Sequence, residues 1–169
     1  MPAATATSPV RPRAAYENWR PPVIGVALLV PVGPGLSRRR RPAGTLMLPV
    51  GGVYNGKALE EAAHRLLSRL ADGLQFLRRV AVGWVQTRRR KVITHVQAAA
   101  PTTVATVEEL AYRDPRATVR VLPTLQLLDQ VWPTARIRIL VGLQALAIGE
   151  AACIEAGVVQ GALPLDLVA

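Results

Sequence analysis

Residues 23–32, VIGVALLVPV, form an apolar run that constrains this chain more than any other stretch of it. The run is about half the length that a bilayer span requires. It lacks the polar alternation of a strand with one wet face. It therefore reads as a β-strand buried on both faces, inside a layered α/β chain. The rest of the sequence can supply the layers, since 169 residues, 50% of them apolar, suffice for one domain with a real core. Residues 1–22, rich in Ala, Pro, Thr and Arg and without periodicity, read as a tail that Tyr16 and Trp19 could dock. Residues 23–169 read as a single domain.

Lys and Arg outnumber Asp and Glu by 21 to 11, a formal charge of +10. That balance favours anionic partners, whether nucleotide, nucleic acid or acidic protein, without choosing among them. Nearly all the cations are arginine in an Ala-, Val-, Leu- and Pro-rich background, a pattern that genome composition alone can produce. Aromatic residues are 4% of the chain, and none interleave with the basic clusters, so nucleic-acid binding is possible but unsupported. The single Cys153 excludes an internal disulfide and fits a reducing compartment. Its apolar, Ala-rich surroundings are those of a buried structural thiol. No basic-then-apolar signal segment opens the chain, and the expectation is a cytoplasmic protein that does not enter the membrane.

After the first strand, GPGLS makes a turn, and Arg38 to Arg41 lead into a short strand over 45–48. Gly51 and Gly52 form a loop, and Asn55-Gly56 marks a further turn. Residues 57–71 hold strong helix formers and stop at Asp72-Gly73. Residues 74–86 and 91–99 read as strands joined at Thr87-Arg88-Arg89-Arg90. Residues 102–112 and 117–122 are assigned as further strands around the Asp114-Pro115 turn. A short helix over 124–131 precedes a long one expected from Thr134 to about Gly157, with Pro133 near its start.

Residues 48–74 read LPVGGVYNGKALEEAAHRLLSRLADGL. The spacing of glycine loop, helix and arginine resembles the Nudix box, G-x5-E-x7-R-E-U-x-E-E-x-G-U, where U is a bulky aliphatic residue. Counting from Gly51, Lys57 stands at the first glutamate, Arg65 at the arginine and Leu66 at the next glutamate. Arg69 and Leu70 stand at the paired glutamates, and Val50 replaces the usual glycine ahead of the box. RRRRPAGTLMLPVGG is similar to the family's approach to the box, and VEELAYRDPRATVRVLPTLQLLDQV to its late strand and the helix after it. The resemblance covers roughly residues 23–131 and implies a Nudix-like α/β/α sandwich with a mixed central sheet and a long C-terminal helix.

It also implies a loop–helix–loop whose carboxylates gather divalent ions around a diphosphate. Hard Mg²⁺ or Mn²⁺ needs several converging oxygen ligands. A leucine cannot ligate the ion and an arginine repels it. Asp72 is a poor replacement at a fraying helix end, because Gly73 follows Arg65 by eight positions where the family has seven. No metal and no cofactor are therefore expected.

On a helical wheel, Leu59, Ala62, Ala63, Leu66, Leu67 and Leu70 make an apolar arc wider than one packing face needs. Either side chains fill the former metal cleft, or it remains as an apolar pocket. Leu66, Arg69 and Leu70 on that face are the ligand-binding candidates, with Arg40 and Arg41 from the first basic cluster. That cluster and Arg88 to Lys91 could meet as a basic rim or remain solvated charge runs. Acid–base candidates are Glu60, Glu61, His64 and Tyr54. Glu61 is also spaced for a helical ion pair with Arg65, worth about 0.2–0.5 kcal/mol, and a solvated helix face accounts for both glutamates. Glu60 and His64 are spaced as a weak two-ligand metal pair, a signal of low specificity.

The stretch IRILVGLQALAIGEAACIEAGVV is unusually apolar for a terminal helix. Ile139, Leu143, Leu146 and Ile154 read as core, and Ala147, Ala151 and Ala152 as a small-residue surface. A homodimer is the expectation. The leading functional expectation is a Nudix-fold protein that no longer cleaves nucleoside diphosphate derivatives and instead binds a small molecule, anionic or apolar, in a regulatory or complex-forming role. The alternatives are a metal-independent isomerase or cyclase on an apolar substrate, and a divergent hydrolase with replacement ligands from Glu108, Glu109 or Asp114.

Overall fold

In the computed structural model the apolar run opens as strand β1 (Val23–Leu29), and strand geometry sends its side chains two ways. Ala27 and Leu29 enter one buried cluster while Val26 and Leu28 enter another, none of them more than 3% exposed. The second half of the strand thus anchors two cores, whereas Val23 and Ile24 at its start are exposed, against the expectation of burial along the whole run.

The structure describes residues 20–33, 35–40, 46–67 and 74–163. Residues 1–19 of the expected tail, and Arg41, Arg69 and Leu70, lie outside them. After β1 come β2 (Pro31–Val32), β3 (Gly35–Arg40), β4 (Leu46–Met47), β5 (Val50–Gly52) and helix α1 (Leu59–Leu66). Next are β6 (Phe76–Gln86), β7 (Lys91–Ala99), α2 (Val104–Glu108), β8 (Thr118–Pro123), α3 (Thr124–Gln130) and α4 (Pro133–Ile148). The chain closes with β9 (Ala151–Glu155) and β10 (Val158–Leu163).

The main sheet runs β10-β9-β6-β7-β1-β5. It is mixed, because β1 lies parallel to β7 and β6 parallel to β9 while the other pairs are antiparallel. A smaller sheet gathers β2, β4 and β8 around β3. Leu127 of α3 and Ile139 and Ala145 of α4 fill the core on one face of the main sheet. Ala62, Ala63 and Leu66 of α1 and Val107 of α2 fill the other. The result is an α/β/α sandwich with a mixed central sheet and a long late helix. No helix among the described residues is long and apolar enough to cross a membrane.

Three assignments change. The helix expected over 134–157 stops at Ile148, where Gly149 adopts a left-handed φ of 80° and its N–H caps Ala145 O at 3.0 Å. Beyond it β9 slots between β10 and β6, so Ala151 and Ala152 are buried strand residues, not a helix surface, and Ile154 reaches the core from that strand. Residues 104–108 form a helix where a strand was expected, because Thr103 Oγ1 accepts from Thr106 N at 3.2 Å. The third change matters most for the site. Helix α1 ends at Leu66, and Leu67 turns extended (φ −112°, ψ 98°) to bridge Tyr112. Tertiary backbone pairing with Tyr112 takes Leu67 out of the helix.

Helix α4 meets the sheet closely at Gly142, where a Cβ would lie 3.1 Å from Leu29 Cδ2. Its last turn is held by Arg78, which donates to the carbonyls of Ala145 and Leu146 at 3.2 Å each. On β6, Arg79 Nη1 donates to His95 Nδ1 at 3.1 Å, so the neutral imidazole carries its proton on Nε2. Burial, and then the Arg79 charge, hold the His95 pKa below its ordinary value. A depressed histidine contributes stability that is present above its unfolded pKa of about 6.5 and lost as pH falls below it. The melting temperature should therefore drop between pH 7.5 and pH 5. His95→Gln should flatten that part of the profile in a calorimetric pH series.

Candidate functional site

Strand β5 forms one edge of the main sheet and brings the bare backbone of Gly51 beneath α1. A Cβ at Gly51 would overlap Leu66 Cδ2, so the glycine is what admits the leucine. Leu66 is 6% exposed and forms the floor of a cleft of about 300 Å³. Gly52, Tyr54, Arg65, Tyr112, Arg113 and Asp114 line it with Leu66.

The main chain fixes this arrangement. Arg113 N donates to Leu66 O at 3.0 Å, beside the bridge between Leu67 and Tyr112. The Tyr112 hydroxyl donates to the carbonyl of Val50. Arg65 lies over the Tyr54 ring, its guanidinium carbon 4.3 Å from the centroid, and Nη2 donates to Gly52 O at 3.3 Å. Asp114 Oδ1 accepts from Arg116 N at 3.1 Å and from Arg116 Nε at 3.2 Å.

The candidates read from the sequence separate. Tyr54 and Leu66 reach the cleft. Glu60 and Glu61 stand exposed on the first turn of α1 and do not line it. Glu61 pairs with Lys57 at 2.7 Å, not with Arg65, and that hydrogen bond is the main cause holding its carboxyl below the usual range. Such an exposed pair stabilises little. His64 packs edge-on against Phe76 (4.7 Å, 77°), with Nδ1 buried and without a hydrogen bond among the described residues. Arg40 has its backbone in β3, paired with Leu46 and Thr118. Of the three replacement carboxylates, Asp114 enters the cleft, while Glu108 and Glu109 are exposed and do not line it. Sequence reasoning did not name Arg65, Tyr112 or Arg113 among the site candidates. For Tyr112 and Arg113 the only local signal was the Asp114-Pro115 turn beside them, and their place in the cleft depends on backbone pairing with Leu67 and Leu66, far earlier in the chain.

No family model and no curated protein matches the chain. Its architecture, however, has close counterparts among solved structures. The MutT protein from Methanosarcina mazei Go1 superposes with a TM-score of 0.57 at 16% identity, over 75% of this chain and 96% of that one. A Nudix hydrolase from Nitrosomonas europaea gives 0.51 at 13% identity, over 81% of each chain. This chain has the Nudix fold. The E. coli ORF135 protein is also similar, with a TM-score of 0.56 at 16% identity over 76% of this chain and 92% of that one.

Whether a divalent ion suits this Nudix-fold cleft depends on the donors that line it. Among the described residues the lining holds one carboxylate, Asp114, which Arg116 already engages. Two arginines and Leu66 share the same cleft. No group of three or more potential ligands occurs among the described residues. A hard cation needs several oxygens and no adjacent cations, so this donor set does not fit one.

Proposed function

We propose that this chain is a Nudix-fold binding protein for a small anionic, ring-bearing ligand such as a nucleotide, with no metal-dependent cleavage of nucleoside diphosphate derivatives. The observation that carries this reading is the cleft's lining. Arg65 and Arg113 offer charge-assisted donors, Tyr54 and Tyr112 offer aromatic surface, and Leu66 stands where the resemblance places a metal-binding glutamate. Arg40, Arg41, Arg69 and Leu70 stay in the proposal as ligand-binding candidates that mutagenesis can reach. Self-association through α4, where Leu140 and Ile148 are 47% and 55% exposed, belongs to it as well.

The test is calorimetric titration of the full chain with ADP in EDTA, and again with Mn²⁺. Binding should not depend on the metal, and Arg113→Ala should weaken it by about tenfold, the loss of roughly 1.4 kcal/mol. Efficient Mn²⁺-dependent release of phosphate products from ADP-ribose would overturn the reading.

The metal-independent isomerase or cyclase reading keeps Tyr54 as its one acid–base candidate in the cleft. The cleft's open form and two arginines suit an anionic ligand better than an apolar substrate sequestered from water.

A further inference from the structure

A second cavity lies on the opposite face of the sheet, between the first turns of α4 and strands β6 and β9. It encloses about 160 Å³. Its walls are apolar where Val85 and Ile154 line it, and polar where Thr134 and Arg138 project from one face of α4, while Trp84 contributes backbone because its ring lies on the other face of the sheet, against Lys91. Gly83 faces the arginine, since a Cβ there would sit in ordinary contact, 3.7 Å from Arg138 Nε and 3.6 Å from Ile154 Cβ. The turn at Ala156 and Gly157, both at positive φ (48° and 87°), closes the end.

Arg138 differs from the other half-buried arginines of this sheet. Arg78 donates to two helix carbonyls and Arg79 to His95, although the Nε of each is buried without a hydrogen bond among the described residues. Arg138 has no hydrogen-bond or ion-pair partner among the described residues, and no acidic side chain lines its cavity. Burial pushes its guanidinium pKa below the ordinary value. A guanidinium partly withdrawn from water, with no counter-charge beside it, is open to an anionic partner.

We propose that this cavity is a second binding site, for a small organic monocarboxylate. The carboxylate takes the planar donor fork of Arg138, and an apolar body lies against Val85 and Ile154. One guanidinium matches one negative charge. The volume suits a single ring or short chain and is too small for a nucleotide. The site shares no residue with the Leu66 cleft, so it stands or falls independently of the ligand proposed there.

The test titrates the full chain with sodium benzoate, and separately with neutral benzyl alcohol and with inorganic phosphate. Benzoate should bind saturably, with both comparison compounds at least tenfold weaker. Arg138→Met keeps the apolar stem and removes the charge. It should weaken benzoate at least tenfold and raise the melting temperature of the unliganded protein by about 2–4 °C. Arg138→Lys keeps the charge without the fork and should weaken benzoate by a smaller factor. Arg113→Ala should leave benzoate binding unchanged. The proposal is overturned if the folded wild type shows no saturable benzoate binding, or if phosphate binds as well as benzoate. A lower melting temperature in Arg138→Met would equally overturn it, by assigning Arg138 a structural partner.

Discussion

Leu66→Glu is expected to cost the fold about 2–4 kcal/mol and to restore no metal-dependent hydrolysis. The side chain is 6% exposed and seated on the bare backbone of Gly51, so its burial contributes about 1.5–3 kcal/mol. A carboxylate in its place adds a desolvation cost. The cleft beside it lets the charged tip approach water, which keeps the total at the low end. Chemical denaturation should show a lower midpoint with an unchanged slope. Calorimetry with Mn²⁺ should show no binding, because one new glutamate beside Arg65 and Arg113 still falls short of the oxygens a hard cation requires. Tight Mn²⁺ binding with hydrolysis in this variant would mean that a single substitution had silenced an otherwise intact site, against the function proposed here.

Leu29→Ala should be the most damaging of the core truncations, at about 2–5 kcal/mol, a fall of about 4–20 °C in melting temperature. Leu29 is fully buried in β1 beneath the point where α4 passes closest to the sheet. The helix cannot readily settle into the void, because Arg78 holds its last carbonyls and Pro133 and Gly149 bound its ends. A double-mutant cycle separates this packing account from a general loss of strand stability. Gly142→Ala alone puts a methyl 3.1 Å from Leu29 Cδ2 and crowds it. In the Leu29→Ala background the same methyl meets open space, and part of the stability should return. Equal effects of Gly142→Ala in both backgrounds would reject the packing account.

Local chemistry made much of this fold legible. The unbroken apolar run announced a strand with two dry faces, and from Val26 to Leu29 β1 divides its side chains between two cores, although Val23 and Ile24 are exposed. The hairpin at residues 87–90 was readable because Thr87 and its arginines make a self-contained turn, with Thr87 Oγ1 donating to Arg90 O and accepting from Arg90 N. Residues 151–155 were not readable. AACIE carries helix formers, and only its place between β10 and β6 makes it a strand. The site divides the same way. The glycine loop, Tyr54, Arg65 and Leu66 are contiguous enough to show in sequence, whereas Tyr112 and Arg113 arrive through backbone pairing across a long separation. The end of α1 at Leu66 has that same distant cause, which no helix propensity could reveal.

The bridge between Leu67 and Tyr112, with the bond from Arg113 N to Leu66 O, has a mechanical consequence. The two walls of the cleft share one seam of main chain, so neither can swing without carrying the other. The span between Arg65 and Arg113 is thereby set in advance of any ligand. For a ligand of the kind proposed, such a cleft would work as a gauge more than as a jaw, sorting guests by how their charge and ring are spaced.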